Sequence, residues 1–344
     1  MPNIAIVGAG SAGLAAAWSH RQSGHDVTLF EKSRGLSGRA ATRRRGECCY
    51  DHGANFFRTE DSEIHDLIHH RLPTDELVEI PGPVWTFDGA GKRTPGDDAQ
   101  NALPKYTYRK GISTLGKLLA AASDPTIHRQ TLITKLTHQD GEWFLEDEQE
   151  EIHGPFTHLL LTPPAPQTAA LVNTISGQEP ILYPLRTALG ACEYHQQFSF
   201  ILGFDQRLPR PDPFHALVNT DQQHALSWVS FEDDKPGHVP DGESVLMAQL
   251  SPSWSAHHYD TPPDQLLPEV LTHLATLLPD LPPPTWWDSQ RWRYAHPAKA
   301  LDLATLEAVA SINLHLAGDA LVGRGRIPLA LKSGLEAART IAAD

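Results

Sequence analysis

The tightest constraint on the fold is a glycine-rich turn near the start of the sequence. Gly8, Gly10 and Gly13 follow an apolar run over residues 3–7 and precede an alanine-rich stretch over residues 14–22. This pattern predicts a strand, a tight turn and a helix. In such a unit the first glycine permits the turn, the second lets a pyrophosphate approach the backbone, and the third lets the helix pack closely on the strand. We therefore expect a dinucleotide at this turn.

An acidic residue supports the same prediction. Residues 25–30 alternate as a second strand that ends at Glu31, where a carboxylate can accept hydrogen bonds from both hydroxyls of an adenosine ribose. The same carboxylate would repel a 2′-phosphate. No second glycine fingerprint occurs in a comparable setting. The residues thus indicate one adenine dinucleotide, either NAD or FAD.

Length and charge limit the other function classes. The chain has 344 residues, with 28 Lys and Arg against 42 Asp and Glu, so its formal net charge is −14. Its length predicts about two domains. The acidic balance argues against nucleic acid and anionic membranes as partners, because both are bound by clustered basic residues. The three cysteines and 19 histidines show no ligand spacing, so we expect no metal site.

The start of the chain and its hydropathy predict the location. A strand that begins at residue 3 leaves no basic and apolar leader before it. No uninterrupted apolar run reaches about 18 residues, the length that crosses a bilayer. We expect a cytoplasmic protein without a membrane partner, and the sequence does not indicate its oligomeric state.

Helical and strand periods continue along the chain. The predicted helices cover residues 62–71, 112–122, 263–278 and 328–342. The predicted strands cover residues 84–87, 127–138, 143–146, 158–162, 194–204, 225–231, 244–250 and 312–317. The alternating strands between about 168 and 285 predict an antiparallel sheet with the helix at 263–278 packed against it.

Two further motifs resemble the glutathione-reductase-like FAD superfamily, particularly its amine-oxidase branch. Residues 34–39 resemble the second fingerprint of that branch, although Ser37 stands where a second glycine is usual. Residues 316–319 resemble the motif in which an Asp binds the flavin ribityl chain. The helix after them would direct its N-terminus at the flavin pyrimidine ring and favour the anionic reduced flavin. The resemblance implies FAD, bound noncovalently because the C-terminal region has no cysteine.

Within that branch the chain is most similar to the bacterial renalase-like FAD oxidoreductases. The matching stretches run along the whole chain, at residues 32–35, 38–39, 51–57, 110–113, 153–156, 162–166, 235–237, 254–255, 291–294, 318–319 and 333–338. Three positions depart from the family pattern. Asn55 stands in place of Gln, Gln249 in place of His, and Leu329 in place of Gly.

The resemblance implies a fold of two domains. The first is an α/β FAD-binding Rossmann-like domain that is discontinuous in sequence, and the second is an α+β substrate domain built on an antiparallel sheet. The FAD-binding domain is predicted to comprise residues 1–70, 105–167 and 285–344. Residues 71–104 and 168–284 are predicted to form the substrate domain.

The resemblance also implies which residues line the site. The predicted FAD contacts are Gly8, Gly10, Ser11, Ala12, Gly13, Glu31, Lys32, Gly38, Arg39, Gly53, Ala54, Asn55, Phe56, Leu132, Thr162, Gly318, Asp319 and Pro328. The predicted substrate cavity contains Asn55, Trp228, Gln249, Trp292, Tyr294 and His296. Asn55 would hydrogen-bond the flavin or a substrate amide, or else shape a local turn. The aromatic residues would stack on a nicotinamide ring, or else pack in the core.

Renalase-like enzymes oxidise dihydronicotinamide isomers, reduced at the 2 or 6 position, to NAD(P)+, and O2 then reoxidises the flavin with formation of H2O2. A dihydropyridine can deliver hydride without a general base, and the sequence offers no evident acid, base or nucleophile. Such a dinucleotide is anionic, so Lys235, Arg291 or Arg293 would have to supply local positive charge. Lys235 is otherwise expected in an exposed Lys-Pro-Gly turn.

Three alternatives stay open on the sequence. One is an amine oxidase, a porphyrinogen-type oxidase or a desaturase of the same superfamily. The second is a non-catalytic binding protein on the FAD fold. The third is an NAD-dependent dehydrogenase.

Overall fold

The N-terminal strand–turn–helix forms as predicted. The computed structural model describes residues 2–302 and 304–343. The strands are β1 (Asn3–Val7), β2 (Asp26–Glu31), β3 (Thr42–Arg45), β4 (Cys48–Asp51), β5 (Leu77–Glu79), β6 (Val84–Phe87), β7 (Arg93–Thr94), β8 (Tyr106–Tyr108), β9 (Thr126–Arg129), β10 (Ile133–Gln139), β11 (Glu142–Asp147), β12 (Ile152–Phe156), β13 (His158–Leu161), β14 (Tyr194–Phe204), β15 (Ala216–Asn219), β16 (Leu226–Phe231), β17 (Ser244–Leu250), β18 (Trp286–Pro297) and β19 (Leu314–Leu316).

Helices alternate with these strands in the first and last parts of the chain. They are α1 (Ser11–Gln22), α2 (Ser62–Asp66), α3 (Asp98–Asn101), α4 (Thr114–Ser123), α5 (Ala165–Val172), α6 (Glu179–Gly190), α7 (Pro252–His257), α8 (Pro263–Leu277), α9 (Ala304–Ala310), α10 (Asp319–Val322) and α11 (Ile327–Ala343). A π-helical turn, Leu67–Arg71, continues α2, and a 3-10 turn, Glu232–Asp234, follows β16.

A parallel sheet holds the glycine-rich turn at its centre. Its strand order is β19-β13-β1-β2-β9, and each neighbouring pair is parallel. Alternate residues of β1 enter two different cores: Ile4 and Ile6 pack with α1, α4 and α11, whereas Ala5 and Val7 pack with the three-stranded sheet β10-β11-β12 and with α5, α6 and α9. Burial on both faces explains why β1 and β13 are continuously apolar.

A larger sheet carries the predicted substrate region. Its order is β18-β14-β17-β16-β15-β6-β7. Helix α8 packs on it through Leu266, Val270 and Leu274. The alternating strands and this helix confirm the predicted sheet with the helix at 263–278 packed against it. The sheet is antiparallel except that β6 pairs parallel with β15. The sequence pattern predicts the strand at 84–87 but does not assign it to this sheet.

Two local predictions were wrong. Residues 127–138 do not form one strand, because Gln130 adopts a left-handed φ of 55° and divides them between β9 of the parallel sheet and β10 of the small sheet. Residues 165–190, for which no element was predicted, contain α5 and α6. No described helix is long and apolar enough to cross a bilayer. The predicted domain limits stay a prediction.

Candidate functional site

The glycine-rich turn leaves the start of α1 open. Gly8 has a φ of +98°, and a Cβ added to Gly13 would lie 2.0 Å from the Gly8 carbonyl oxygen. No side chain other than hydrogen therefore fits at Gly13. A Cβ on Gly10 would meet nothing within 4 Å, and no side chain caps the helix there. The first-turn amides of α1, beginning at Ser11 and Ala12, thus face open space, as expected for a phosphate-binding helix N-terminus.

Glu31 is held beside this turn by backbone amides. Its Oε2 accepts a hydrogen bond from the Ala9 amide and its Oε1 accepts one from the Ser33 amide, both at 2.8 Å. Each carboxylate oxygen keeps a second lone pair that a ribose hydroxyl can use. The Thr162 hydroxyl donates to the carbonyls of Val7 and Gly8 at 2.9 and 3.0 Å and fixes the turn from the neighbouring strand.

Arg39 and Asp319 meet although they are far apart in sequence. Arg39 Nη1 donates to Asp319 Oδ2 at 2.6 Å and to the carbonyls of Tyr294 and Ala295 at 3.0 and 3.1 Å. The hydroxyl of Tyr194 donates to the other Asp319 oxygen at 3.0 Å. The predicted pyrophosphate-binding Arg and ribityl-binding Asp therefore occupy one polar cluster, and Tyr194 is a member that the sequence reasoning missed.

The other predicted FAD contacts lie around these two places. Lys32 and Leu132 are exposed near Glu31. The Gly318 amide donates to the Ser333 hydroxyl of α11 at 3.0 Å, and Pro328 lies in the first turn of that helix. Gly38, Ala54 and Phe56 lie on loops next to the turn and the sheet. The donors and open space fit a dinucleotide with its phosphates on α1.

A network of side-chain amides connects the FAD-proximal loop to the large sheet. Gln249 Nε2 donates to the Gly53 carbonyl at 2.8 Å, and Asn55 Nδ2 donates to Gln249 Oε1 at 3.2 Å. Asn55 Oδ1 is buried and has no hydrogen-bond partner among the described residues. The predicted cavity residues Asn55 and Gln249 are thus in contact, and one acceptor between them is free.

Aromatic side chains surround this amide pair. Trp228 lies opposite Gln249 across the β16–β17 pair, and its ring centroid is 5.9 Å from that of Phe56. The Trp228 indole N–H is buried without a partner among the described residues. Trp292 stacks on His52 at 5.4 Å and donates to the His52 carbonyl at 3.0 Å. Trp228 and Trp292 therefore flank the loop that carries Asn55.

Tyr294 and His296 lie further along β18, toward Asp319. The Tyr294 ring contacts Tyr194 edge-on at 5.8 Å, and the His296 ring lies 4.8 Å from that of His195. Burial and the neighbouring His195 lower the pKa of His296 below its ordinary value. His296 is therefore neutral at pH 7, and the six predicted cavity residues divide into a group at Gly53 and a pair near Asp319.

The prediction that Lys235 lies in an exposed turn was wrong. Lys235 is 1% exposed and forms ion pairs with Asp51 at 3.1 Å and Glu232 at 2.7 Å. His238 completes the cluster, with Nδ1 3.0 Å from Glu232 Oε2 and Nε2 3.0 Å from the Tyr108 carbonyl. Because both ring nitrogens face acceptors, both carry protons. Two cations and two anions are thus buried together, and Lys235 cannot contact a substrate.

Burial and charge act in opposite directions in this cluster. Burial lowers the pKa of His238, but Asp51 and Glu232 outweigh it and raise that pKa to about 10. Burial raises the pKa of Glu232, but Lys235 and His238 outweigh it and lower that pKa to about 2. Asp51, Glu232 and His238 could also hold a metal ion by their spacing. The Lys235 ammonium supplies the positive charge that balances the Asp51 and Glu232 carboxylates, the charge that a metal ion would otherwise supply.

Arg291 and Arg293 are both exposed, and the Arg291 guanidinium donates to the Tyr259 carbonyl at 3.0 Å. The Arg293 guanidinium lies 5.7 Å from the centroid of the Tyr259 ring and also interacts with the side chain of Tyr294, a predicted cavity residue. Their predicted role as local positive charge for a substrate stays a prediction.

Comparisons with known proteins agree with this geometry. Residues 91–342 match the family described as flavin containing amine oxidoreductase, and residues 6–70 match an NAD(P)-binding Rossmann-like domain. A provisionally named protoporphyrinogen oxidase from Exiguobacterium sp. 255-15 superposes with a TM-score of 0.80 at 17% identity and covers 99% of both chains.

Two amine oxidases have the same fold. Putrescine oxidase bound to putrescine has a TM-score of 0.77 at 14% identity, over 100% of this chain and 99% of that one. Cyclohexylamine oxidase from Brevibacterium oxydans IH-35A has a TM-score of 0.77 at 13% identity, over 99% of each chain. At these identities the likeness shows the fold alone.

Proposed function

This chain belongs to the family of flavin-containing amine oxidoreductases and is an FAD-dependent oxidoreductase. We propose that it is a cytoplasmic oxidase of the renalase type. Its substrates are 2- or 6-dihydro isomers of NAD(P). When bound, FAD would accept hydride at N5 from the dihydronicotinamide, which thereby becomes NAD(P)+, and O2 with one proton would then take up the hydride equivalent to give H2O2 and oxidised FAD. FAD supplies the hydride acceptor in this chemistry.

The free acceptor on Asn55 carries the proposal. Gln249 is oriented by its bond to the Gly53 carbonyl, so its Oε1 faces Asn55 and receives the Asn55 Nδ2 hydrogen. This leaves Asn55 Oδ1 buried without a donor among the described residues. An unsatisfied buried acceptor costs about 1–3 kcal/mol. The carboxamide N–H of a nicotinamide ring is a donor of matching size and chemistry.

The remaining side chains position and shield a ring. Trp228 contacts Phe56 and Trp292 stacks on His52, so both tryptophans present aromatic surface next to the loop that carries Asn55. The six predicted cavity residues contain no charged side chain at pH 7, since His296 is neutral. Orientation and exclusion of water are the contributions that hydride donation from an electron-rich ring requires. The FAD itself would be held by α1, Glu31 and the Arg39–Asp319 cluster.

Anaerobic flavin reduction tests the proposal. The FAD-loaded enzyme is mixed with 2- and 6-dihydro isomers of NAD and, separately, with putrescine and cyclohexylamine, and loss of visible flavin absorbance is followed. We expect rapid bleaching by the isomers alone. Rapid bleaching by an amine, with slow or no bleaching by the isomers, would establish an amine oxidase instead.

A pair of variants tests the role of Asn55. Asn55→Ala removes the free acceptor and is expected to raise KM for the isomers about 5- to 150-fold, the equivalent of one unmade hydrogen bond of about 1–3 kcal/mol. Asn55→Gln keeps the carboxamide and is expected to retain part of the affinity. An unchanged KM in Asn55→Ala would assign Asn55 to the loop structure.

A further inference from the structure

Two cations, Arg58 and Lys105, adjoin an isolated backbone bridge next to the loop that carries Asn55. Phe57 and Tyr106 form an antiparallel bridge with reciprocal backbone bonds of 3.0 and 2.8 Å. The next pair along such a ladder is Arg58 and Lys105, whose Cα atoms are expected to be roughly 4.5 Å apart. Phe57 and Tyr106 pack on the core, so Arg58 and Lys105 leave the ribbon on its other side.

Like charges in this arrangement are unfavourable unless an anion lies between them. Lys105 is only 4% exposed, and burial and the charge of Arg58 lower its pKa. Arg58 donates to Oε1 and the carbonyl of Gln100 at 2.7 and 2.8 Å, while its Nε is buried without a partner among the described residues. Glu79, whose charge raises the pKa of Lys105, is exposed and forms no described ion pair with either cation.

The loop before α11 adds further positive charge. Arg324 and Arg326 are exposed, and in the described part of the chain no carboxylate pairs with either of them. Burial in the surrounding protein lowers the pKa of Arg326, and the charges of Arg324 and Arg58 lower it further. The three guanidinium groups therefore repel one another electrostatically. Gly325 between them packs against His296 of the predicted cavity, where an added Cβ would lie 2.9 Å from the His296 Cβ.

The basic group also adjoins the aromatic wall. The Arg58 guanidinium lies 5.7 Å from the centroid of the Phe56 ring, and the Phe56 ring lies 5.9 Å from that of Trp228. A ligand whose ring lies near Trp228 and Asn55 would therefore extend its next substituents toward Arg58. For a nicotinamide nucleotide those substituents are the ribose and the phosphate.

Resting on the proposed function, we infer that Arg58, Lys105 and Arg326 form an anion site that binds the phosphate groups of the substrate. The site selects dihydronicotinamide nucleotides over the uncharged riboside and repels diamines. It also explains how a chain of net charge −14 admits an anionic substrate. The FAD phosphates do not compete for it, because their place is at the N-terminus of α1.

Inorganic pyrophosphate tests this site without turnover. Its affinity for the FAD-loaded enzyme is measured by calorimetry at constant ionic strength in the wild type, Arg58→Gln, Lys105→Gln and Arg326→Gln. The control is Arg71→Gln, an exposed arginine whose one ion pair among the described residues is with Asp66. Each site variant is expected to weaken binding roughly 10- to 100-fold, and the control to leave it unchanged. Equal affinity in the wild type and the site variants would overturn the inference.

Turnover separates this inference from the proposed function. kcat/KM is measured with the dihydro isomers of the nicotinamide mononucleotide and of the riboside. In Arg58→Gln the ratio of the mononucleotide value to the riboside value is expected to fall roughly tenfold or more, because only the mononucleotide value decreases. An unchanged ratio would show that the substrate phosphate is bound elsewhere. If pyrophosphate binds through these residues but no isomer reduces the enzyme, the anion site is supported and the proposed function is refuted. Because Arg326 is exposed, Arg326→Gln keeps the test valid if Lys105→Gln loses FAD.

Discussion

Replacing Lys235 by methionine tests whether the buried ionic cluster stabilises the fold. The Lys235 side chain is buried and contacts the carboxylates of Asp51 and Glu232 at 3.1 and 2.7 Å. Methionine has a similar length but no charge. The variant therefore keeps the packing approximately and, in the described part of the chain, leaves the two carboxylates with His238 as their one buried cation.

The expected effect follows from the uncompensated charge. Removing one partner of a buried pair destabilises a protein by about 3–5 kcal/mol. At ~2.1 cal/mol/K per residue, the unfolding entropy of a chain of this length is ~0.7 kcal/mol/K, so the melting temperature should fall by about 4–7 °C. Asp51 also accepts bonds from Thr42, Thr107 and the Ile112 amide, which keep its position when Lys235 is lost.

Differential scanning calorimetry of the FAD-loaded protein provides the measurement. Lys135→Met is the matched control, because Lys135 forms a half-exposed pair with Glu146 at 2.7 Å. Such surface pairs contribute at most about 1 kcal/mol, so this control should melt within about 1–2 °C of the wild type. Adding Glu232→Gln to Lys235→Met balances Asp51 against His238 and should recover part of the loss.

Equal melting temperatures for Lys235→Met and Lys135→Met would refute the reasoning. That result would mean that water or a structural shift neutralises the cluster when the lysine is absent. The double variant could instead be less stable than Lys235→Met by the same amount by which Glu232→Gln alone destabilises the wild type. That result would show that the two residues act independently.

Three further predictions concern pH, packing and FAD retention. The stability that Glu232 contributes is complete above its ordinary pKa of 4.5 and is lost as the pH falls toward 2, whereas that of His238 is complete below pH 6.5 and is lost as the pH rises through 10. Melting curves against pH should therefore decline at both ends, and His238→Gln should remove much of the alkaline decline. Gly334→Ala places a Cβ 2.1 Å from a backbone oxygen of α1 and should destabilise the protein by about 1–3 kcal/mol in denaturant titration, whereas Gly190→Ala, which meets nothing within 4 Å, should not. Glu31→Ala should lower the ratio of flavin to protein absorbance after purification, and an unchanged ratio would count against its role at the ribose.

The parts of the fold with local signals could be predicted from sequence. The turn at Gly8, the strands at 194–204 and 244–250 and helix α8 each show their own periodicity. The split of residues 127–138 could not be predicted, because two different sheets supply the partners of β9 and β10. The pattern of apolar and polar residues predicts that a segment is a strand, but it does not show which sheet supplies that strand's hydrogen-bond partners.

The candidate site shows the same division. The motifs identified Asn55 and Gln249 separately, yet their contact depends on the position of Gly53 relative to β17. Lys235 was misplaced because a Lys-Pro-Gly sequence usually indicates an exposed turn, and the two acids that draw it inward lie on different elements. Arg58 and Lys105 carried no motif at all, and their opposition follows only from the bridge between their neighbours.

The strand order of the parallel sheet determines when the FAD site can form during synthesis. Strands β1, β2, β9 and β13 are complete by residue 161, but the fifth strand is Leu314–Leu316, and α11 comes later still. Five of the seven strands of the large sheet, β14 to β18, are translated between these two parts. The β13 edge of the parallel sheet is therefore expected to stay unpaired during synthesis until β19 emerges from the ribosome. FAD capture is expected to follow that step, because Asp319 and α11 come after β19 in the chain.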